Sequence, residues 1–233
     1  MNIINKLITI LFISLLASPC WSETMDDLVK RDGLYYPKFS DVPFTGKVTG
    51  KWNGEFENGK KNGEWKIFYK TGQLKSKGWY SSSGEKYHLW SYYYENGILK
   101  LNERYNIYGN VDGLRETFGR NGILSGRSLR QDGKLKFREL YFADGQLYQK
   151  ENFKDGKTDG LYELYYENGQ LQQKINYKDG IWVGVWEEYF ENGQLMMKAN
   201  YKDGEADKVE YFNENGLSIR KRIRKDGELV LTD

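Results

Sequence analysis

The chain has 233 residues, 39% of them hydrophobic and 29% charged, which places it among soluble folded proteins and outside the disordered and membrane-embedded classes. Nineteen Tyr, 11 Phe, 7 Trp and 26 Gly against only 3 Pro favour short strands joined by glycine turns and argue against an α-rich fold. A net charge of +2 lacks the concentrated basic field that nucleic-acid binding needs, and one Cys with one His cannot build a cysteine-ligated metal site.

In chain order, residues 1–22 read as a secretory signal peptide. Lys6 supplies the positive flank, Leu7 to Ala17 is a mostly apolar run, and small residues with Pro19 precede Glu23. The run is too short to cross a bilayer, which takes about 20 helical residues. Cleavage after Ser22 removes the only cysteine and implies export to the periplasm or cell surface; Pro19 directly before Cys20 disfavours a lipoprotein. Residues 23–50 are expected to cap the fold. Met25 to Lys30 suggests a short turn of helix, and irregular strands follow around Gly33 to Phe39 and Val42 to Gly46, with Pro37 and Pro43 suited to an edge or bulge.

Residues 51–228 are repetitive. One series of turn glycines falls at Gly72, Gly97, Gly122, Gly145, Gly169, Gly193 and Gly216, in steps of 25, 25, 23, 24, 24 and 23. A second series, Gly59, Gly84, Gly109, Gly133, Gly156, Gly180, Gly204 and Gly227, lies midway between its members. Asn-Gly and Asp-Gly pairs between aromatic and β-branched runs are the signature of hairpins. The fold class predicted is all-β: an elongated, twisted antiparallel meander of about seven hairpin repeats and about fourteen strands. Residues 229–233 are left as a C-terminal tail.

The segments Gly160-Leu-Tyr-Glu-Leu-Tyr-Tyr-Glu-Asn-Gly-Gln-Leu171 and Gly184-Val-Trp-Glu-Glu-Tyr-Phe-Glu-Asn-Gly-Gln-Leu195, with a third good copy at Gly63 to Leu74, resemble the bacterial variant of the MORN repeat found in the YwqK family of antitoxin-named proteins. Other copies depart from the pattern: His88, Lys136 and Asp207 replace the leading Gly, and Arg115, Arg138 and Val209 replace the Trp or Tyr. The resemblance implies a binding protein, including an antitoxin or immunity factor that neutralises a toxin by covering it, or peripheral binding to acidic lipid.

Positions are counted from the first-series glycine. If each of these turns is a two-residue loop, position −6 faces +5. One face then collects the Gly at −9, Trp or Tyr at −7, aromatics at −3 and +8, and Leu at +2: Gly184, Trp186, Phe190, Tyr201 and Leu195 in one copy. The +8 ring would cover the −9 glycine, as Tyr80 over Gly63. On the other face the register pairs Glu116 with Arg127, Glu139 with Lys150, Glu163 with Lys174, Glu187 with Lys198 and Glu210 with Lys221. Lys66 with Lys77 and Ser91 with Asn102 are the exceptions. A three-residue loop would instead bring Trp186 opposite Lys198.

That second face carries an aromatic at −4 in every copy: Phe68, Tyr93, Phe118, Tyr141, Tyr165, Tyr189 and Phe212. This column is the candidate binding surface, for a protein partner or an envelope glycan; its other reading is rings supporting one another across a thin sheet. The run Arg220, Lys221, Arg222, Arg224 and Lys225 is the one departure from charge balance, read as a solvated terminal strand or a contact with an anionic membrane. His88 sits at a diverged glycine position. No catalytic constellation, phosphate loop, cofactor motif or metal-ligand spacing is found, so the sequence reads as a non-enzymatic scaffold that needs no cofactor and binds no nucleic acid.

Overall fold

The computed structural model describes residues 23–232, so the expected leader at 1–22 lies outside the described residues. A 3₁₀ turn at Met25–Asp27 leads into a two-stranded sheet, β1 (Leu28–Arg31) and β2 (Leu34–Pro37), where a helical turn had been expected to run on to Lys30. The main sheet is an antiparallel meander of seventeen strands, β3 to β19, each paired with its neighbour in sequence. Among the described residues no register joins β19 to β3, so the sheet is open. It begins with β3 (Gly46–Val48), inside the expected capping segment, and ends with β19 (Glu228–Leu231), which pairs β18 (Ser218–Lys225) where a tail had been expected.

The two glycine series make different corners, except that Gly84 and Gly109 of the second close three-residue loops like the first. At Asn58-Gly59, Asp132-Gly133, Asp155-Gly156, Asp179-Gly180, Asp203-Gly204 and Asp226-Gly227 both residues have positive φ, the two-residue hairpin turn. In the first series only the glycine does. There Phe190 N–H bonds Gln194 O, and Gly193 N–H bonds Phe190 O, which closes a three-residue loop. The expected two-residue loop is therefore wrong for this series.

The expected charge pairing nevertheless holds, because a bulge restores it. Tyr189 faces Leu195, Met196 is left without an opposite residue, and Glu188 faces Met197, so Glu187 returns to Lys198. The same bulge occurs in all seven hairpins, at Lys75, Lys100, Ser125, Tyr148, Gln172, Met196 and Ile219. It has one further effect: Leu195 lies on the face of Tyr189 and Glu187, away from Trp186, so the +2 leucines are not on the packed face.

The leading glycine also has a different cause from the one expected. Gly63 and Gly184 do face Tyr80 and Tyr201, but a methyl group on either would meet nothing within 4 Å. Their φ values of +69° and +71° demand glycine, at a second bulge where two extra residues enter the strand. Lys136 and Asp207 stand in strands whose second bulge adds one residue and needs no positive φ, whereas His88 keeps the positive φ at +58°.

The core lies at the N-terminal end. Leu28 and Phe44 from residues 23–50 bury against Val48, Phe56, Trp65 and Trp90, in a chain of edge-on rings: Phe44–Phe56 at 5.6 Å, Phe56–Trp65 at 5.1 Å, Trp65–Tyr80 at 5.7 Å and Tyr80–Trp90 at 5.1 Å. The indoles of Trp65 and Trp90 lie over Gly54 and Gly78 and donate to backbone carbonyls, Trp90 to Trp79 O at 2.9 Å. A smaller cluster, Ala199, Ala206 and Val209 with Trp186 and Tyr201, serves the C-terminal end. Between them the same column turns ionic: Arg115 pairs Glu103 at 3.0 Å and Arg138 pairs Glu151 at 2.6 Å.

Successive hairpins are stapled by side chains. Tyr69, Tyr94 and Tyr166 hydroxyls donate to the carbonyls of Tyr93, Phe118 and Tyr189 in the next copy. Corner asparagines act twice: Asn168 Oδ1 accepts from Gln170 N–H, and its Nδ2 donates to Glu191 O of the next corner at 2.9 Å.

Candidate functional site

The face bearing the −4 rings is crossed by one continuous row. Glu116, Arg127, Glu139, Lys150, Glu163, Lys174, Glu187, Lys198, Glu210 and Lys221 are successive cross-strand partners in strictly alternating charge. The sequence disclosed the pairs within hairpins, while the pairs between hairpins follow only from the corner geometry. Closed ion pairs include Arg127–Glu139 at 2.6 Å and Lys198–Glu187 at 3.0 Å. Burial works against the Glu187 charge, but hydrogen bonds from Lys198 and Tyr189 outweigh it and leave its pKa below the ordinary value.

All seven rings of the predicted column are half-buried on this face, and among the described residues no two of them form a ring pair. The +2 leucines sit opposite the rings, as Leu195 opposite Tyr189 and Leu171 opposite Tyr165. This replaces the expected ring-on-ring support. Tyr141 and Tyr189 donate their hydroxyls to Glu139 at 2.8 Å and Glu187 at 3.0 Å. Burial and then the Glu187 hydrogen bond push Tyr189 up to about 12. Over the C-terminal copies the column is thus internally satisfied.

The pattern breaks once. Lys66 faces Lys77, Lys77 faces Ser91, and Ser91 bonds Asn102, so neutral residues stand where the acid and base would be. Lys66 is held by Glu64 at 3.2 Å, and Lys77 is exposed and faces no carboxylate across either neighbouring strand. In the same place the bulge residue is His88, held at positive φ with its ring 3.9 Å from Tyr87. A cavity of about 600 Å³ opens here, lined by Glu64, Lys77, Trp79, Tyr87, His88 and Leu89 among others. Trp79 is 51% exposed and Leu89 39%. Sequence reasoning singled out His88 but missed Trp79 and Leu89; the signal available was the coincidence of a lost glycine with two lost charges in one copy.

The basic run of β18 is divided by strand alternation. Arg222 lies opposite Val209, on the packed side, and Arg224 donates to Ala206 O and Gly227 O. Lys221 faces Glu210 on the other side. Among the described residues no group of three or more His, Cys, Asp or Glu side chains is placed to hold a metal ion, and no helix is long and apolar enough to cross a membrane.

No curated protein matches the chain. Residues 61–83, 138–155, 158–179 and 182–203 match the MORN repeat variant family, and each of these segments falls on one of the seven first-series hairpins described above.

Proposed function

We propose that this chain is a non-enzymatic scaffold that binds a protein partner on its charge-row face, with recognition centred on the break at Trp79, His88 and Leu89. The observation that carries the reading is the coincidence of an exposed indole, a strained non-glycine residue and an uncompensated lysine around one cavity in an otherwise periodic surface. Exposed aromatics and strained backbone are features that recognition sites retain at a cost in stability. The regular copies position this surface and spread contact area around it. A partner segment pairing an acidic group with an apolar one fits Lys77 beside Trp79 and Leu89.

Export to the periplasm or cell surface is the setting proposed from the leader. A toxin neutralised by covering is one form of such a partner. A glycan is the second reading, favoured by the Trp79 platform with Glu64, His88 and Ser91 beside it. Affinity capture of envelope proteins and of peptidoglycan by the wild type, by Trp79→Ser with Leu89→Ser, and by Tyr165→Ala with Tyr189→Ala separates these. A protein retained by the wild type and the tyrosine variant but lost with the first pair supports the proposal. Retention unaffected by Trp79 and Leu89, or loss confined to the tyrosine variant, overturns it.

A further inference from the structure

On the opposite face, at the corner where residues 23–50 fold against the sheet, the chain gathers more lysines than acids. A cavity of about 370 Å³ is lined by Lys30, Lys60 and Lys61, by Tyr35, Tyr80 and Ser83, by the corner glycines Gly33, Gly59 and Gly84, and by a single carboxylate, Glu85. Among the described residues none of the three lysines forms an ion pair. Lys61 is the half-buried one. Its ammonium stands 4.8 Å from the Trp52 ring, 4.6 Å from Trp65 and 5.1 Å from Tyr80, held by ring faces and not by an oxygen. Lys30 stands 5.6 Å over Tyr35, which leaves its charge at the mouth.

We propose that this cavity is a binding site for a compact oxyanion, a phosphate or a carboxylate carrying two charges, taken between Lys30, Lys60 and Lys61 with the Tyr35 and Tyr80 rings as walls. Lys30, Lys60 and Lys61, with Lys86 close to Lys61, outnumber the carboxylates nearby, Glu85 in the lining and Glu57 opposite Lys60, and leave a net positive potential in a partly enclosed space, where a charge is worth more than on the open surface. About 370 Å³ gives room for a small di-anion.

The charge state of Lys61 gives the site a pH signature. The groups around it are Lys30 from β1, Tyr35 from β2, Tyr80 and Lys86 on either side of the Gly84 corner, Glu85 at that corner, and Lys60 beside it, itself opposite Glu57. Burial, then Lys30 and Lys86, bring Lys61 down to about 8. Burial holds Tyr80 at about 12, so its hydroxyl stays neutral over the relevant range. An anion between the lysines opposes the effect of Lys30 and Lys86, and by linkage its affinity falls as Lys61 loses its proton.

The test is titration of the full chain with inorganic phosphate and with malonate at constant ionic strength, at pH 7 and pH 9.5, alongside Lys30→Gln/Lys60→Gln, which alters two exposed side chains and leaves the core intact. Expected are saturable binding of at least one anion at pH 7, weakening of about fivefold or more at pH 9.5, and a comparable loss in the double variant. Side-chain NMR of Lys61 should show its pKa rise on saturation, and Lys61→Met should abolish the pH dependence of malonate binding, malonate being doubly charged at both pH values while phosphate gains charge between them. Binding unchanged in Lys30→Gln/Lys60→Gln, or no saturable binding of either anion, overturns the proposal. So does capture by acidic vesicles that neither free anion displaces. Trp79→Ser with Leu89→Ser should leave anion binding intact, so the two surfaces fail or succeed separately.

Discussion

The indole of Trp90 lies across Gly78 so closely that a methyl group at that glycine would come within 2.3 Å of the ring. The glycine is the floor on which the largest buried side chain of the second hairpin rests, and Trp90 is 1% exposed. Gly78→Ala should therefore destabilise the protein by about 1–3 kcal/mol through overpacking. Trp90→Ala should cost about 3–5 kcal/mol. Urea unfolding followed by tryptophan fluorescence measures both, and a neutral Gly78→Ala would show that the ring moves freely.

His88 holds a left-handed backbone conformation that its counterparts Gly63 and Gly184 adopt without strain. His88→Gly relieves a steric cost of about 1–2 kcal/mol but adds unfolded-state entropy of about 0.5–1 kcal/mol, so a net gain of between about 0 and 1.5 kcal/mol is expected in a melting experiment. If the break is a recognition site, the same variant binds the partner less well. Gain in stability without loss of binding would assign His88 to drift alone.

Corner residues Asn168 and Asp144 should respond in opposite directions. Both accept a backbone N–H two residues on, but only Asn168 has an amide to donate to the next corner. Asn168→Asp is expected to lose about 1 kcal/mol and Asp144→Asn to gain up to about that much, by denaturant midpoints at unchanged slope.

Glu163 lies between Lys150 and Lys174 in the alternating row. Glu163→Gln should cost only a few tenths of a kcal/mol, while Glu163→Lys, facing two cations, should cost about 1–2 kcal/mol. Adding Lys150→Glu and Lys174→Glu only moves the two like-charge contacts outward, onto Glu139 and Glu187, and should recover little of that. A charge reversal no worse than the Gln variant would mean the row does not discriminate register.

Stability should rise and then fall with alkaline pH. Lys61 has a folded pKa of about 8 against an ordinary 10.5, so between these values the unfolded chain binds the extra proton and stability climbs with pH. Tyr80 and Tyr189, at about 12 against an ordinary 10.0, act in the opposite sense: their contribution is full below pH 10 and lost towards 12. Unfolding measured across pH 7–12 should show a maximum near pH 10, and Lys61→Met should flatten the rising limb while sparing the fall.

The meander and the pairs such as Glu187 with Lys198 were legible in the sequence because turn glycines and period-two alternation are local signals. The corner type was not. Asn-Gly supports either a two-residue or a three-residue loop, and what decides between them is the bulge at Met196, a residue whose identity carries no mark of it. Once that bulge is overlooked, Leu195 is assigned to the wrong face although Glu187 is assigned correctly. Trp79 was hidden for another reason: it occupies a position where other copies hold Arg104, Asn152 or Asn176, and single-residue exposure on a sheet is not periodic.

The uneven steps of 25, 25, 23, 24, 24 and 23 follow from local length alone. Steps of 25 contain the three-residue corners closed at Gly84 and Gly109; steps of 24 have two-residue corners; steps of 23 fall where Lys136 and Asp207 stand in the shorter bulge. Every added or missing residue is absorbed within its own corner or bulge, so the neighbouring hairpins never shift out of phase. Such a chain can undergo small insertions and deletions singly, without waiting for a compensating event elsewhere, and copies are free to diverge in length while the assembled lattice of cross-strand partners persists.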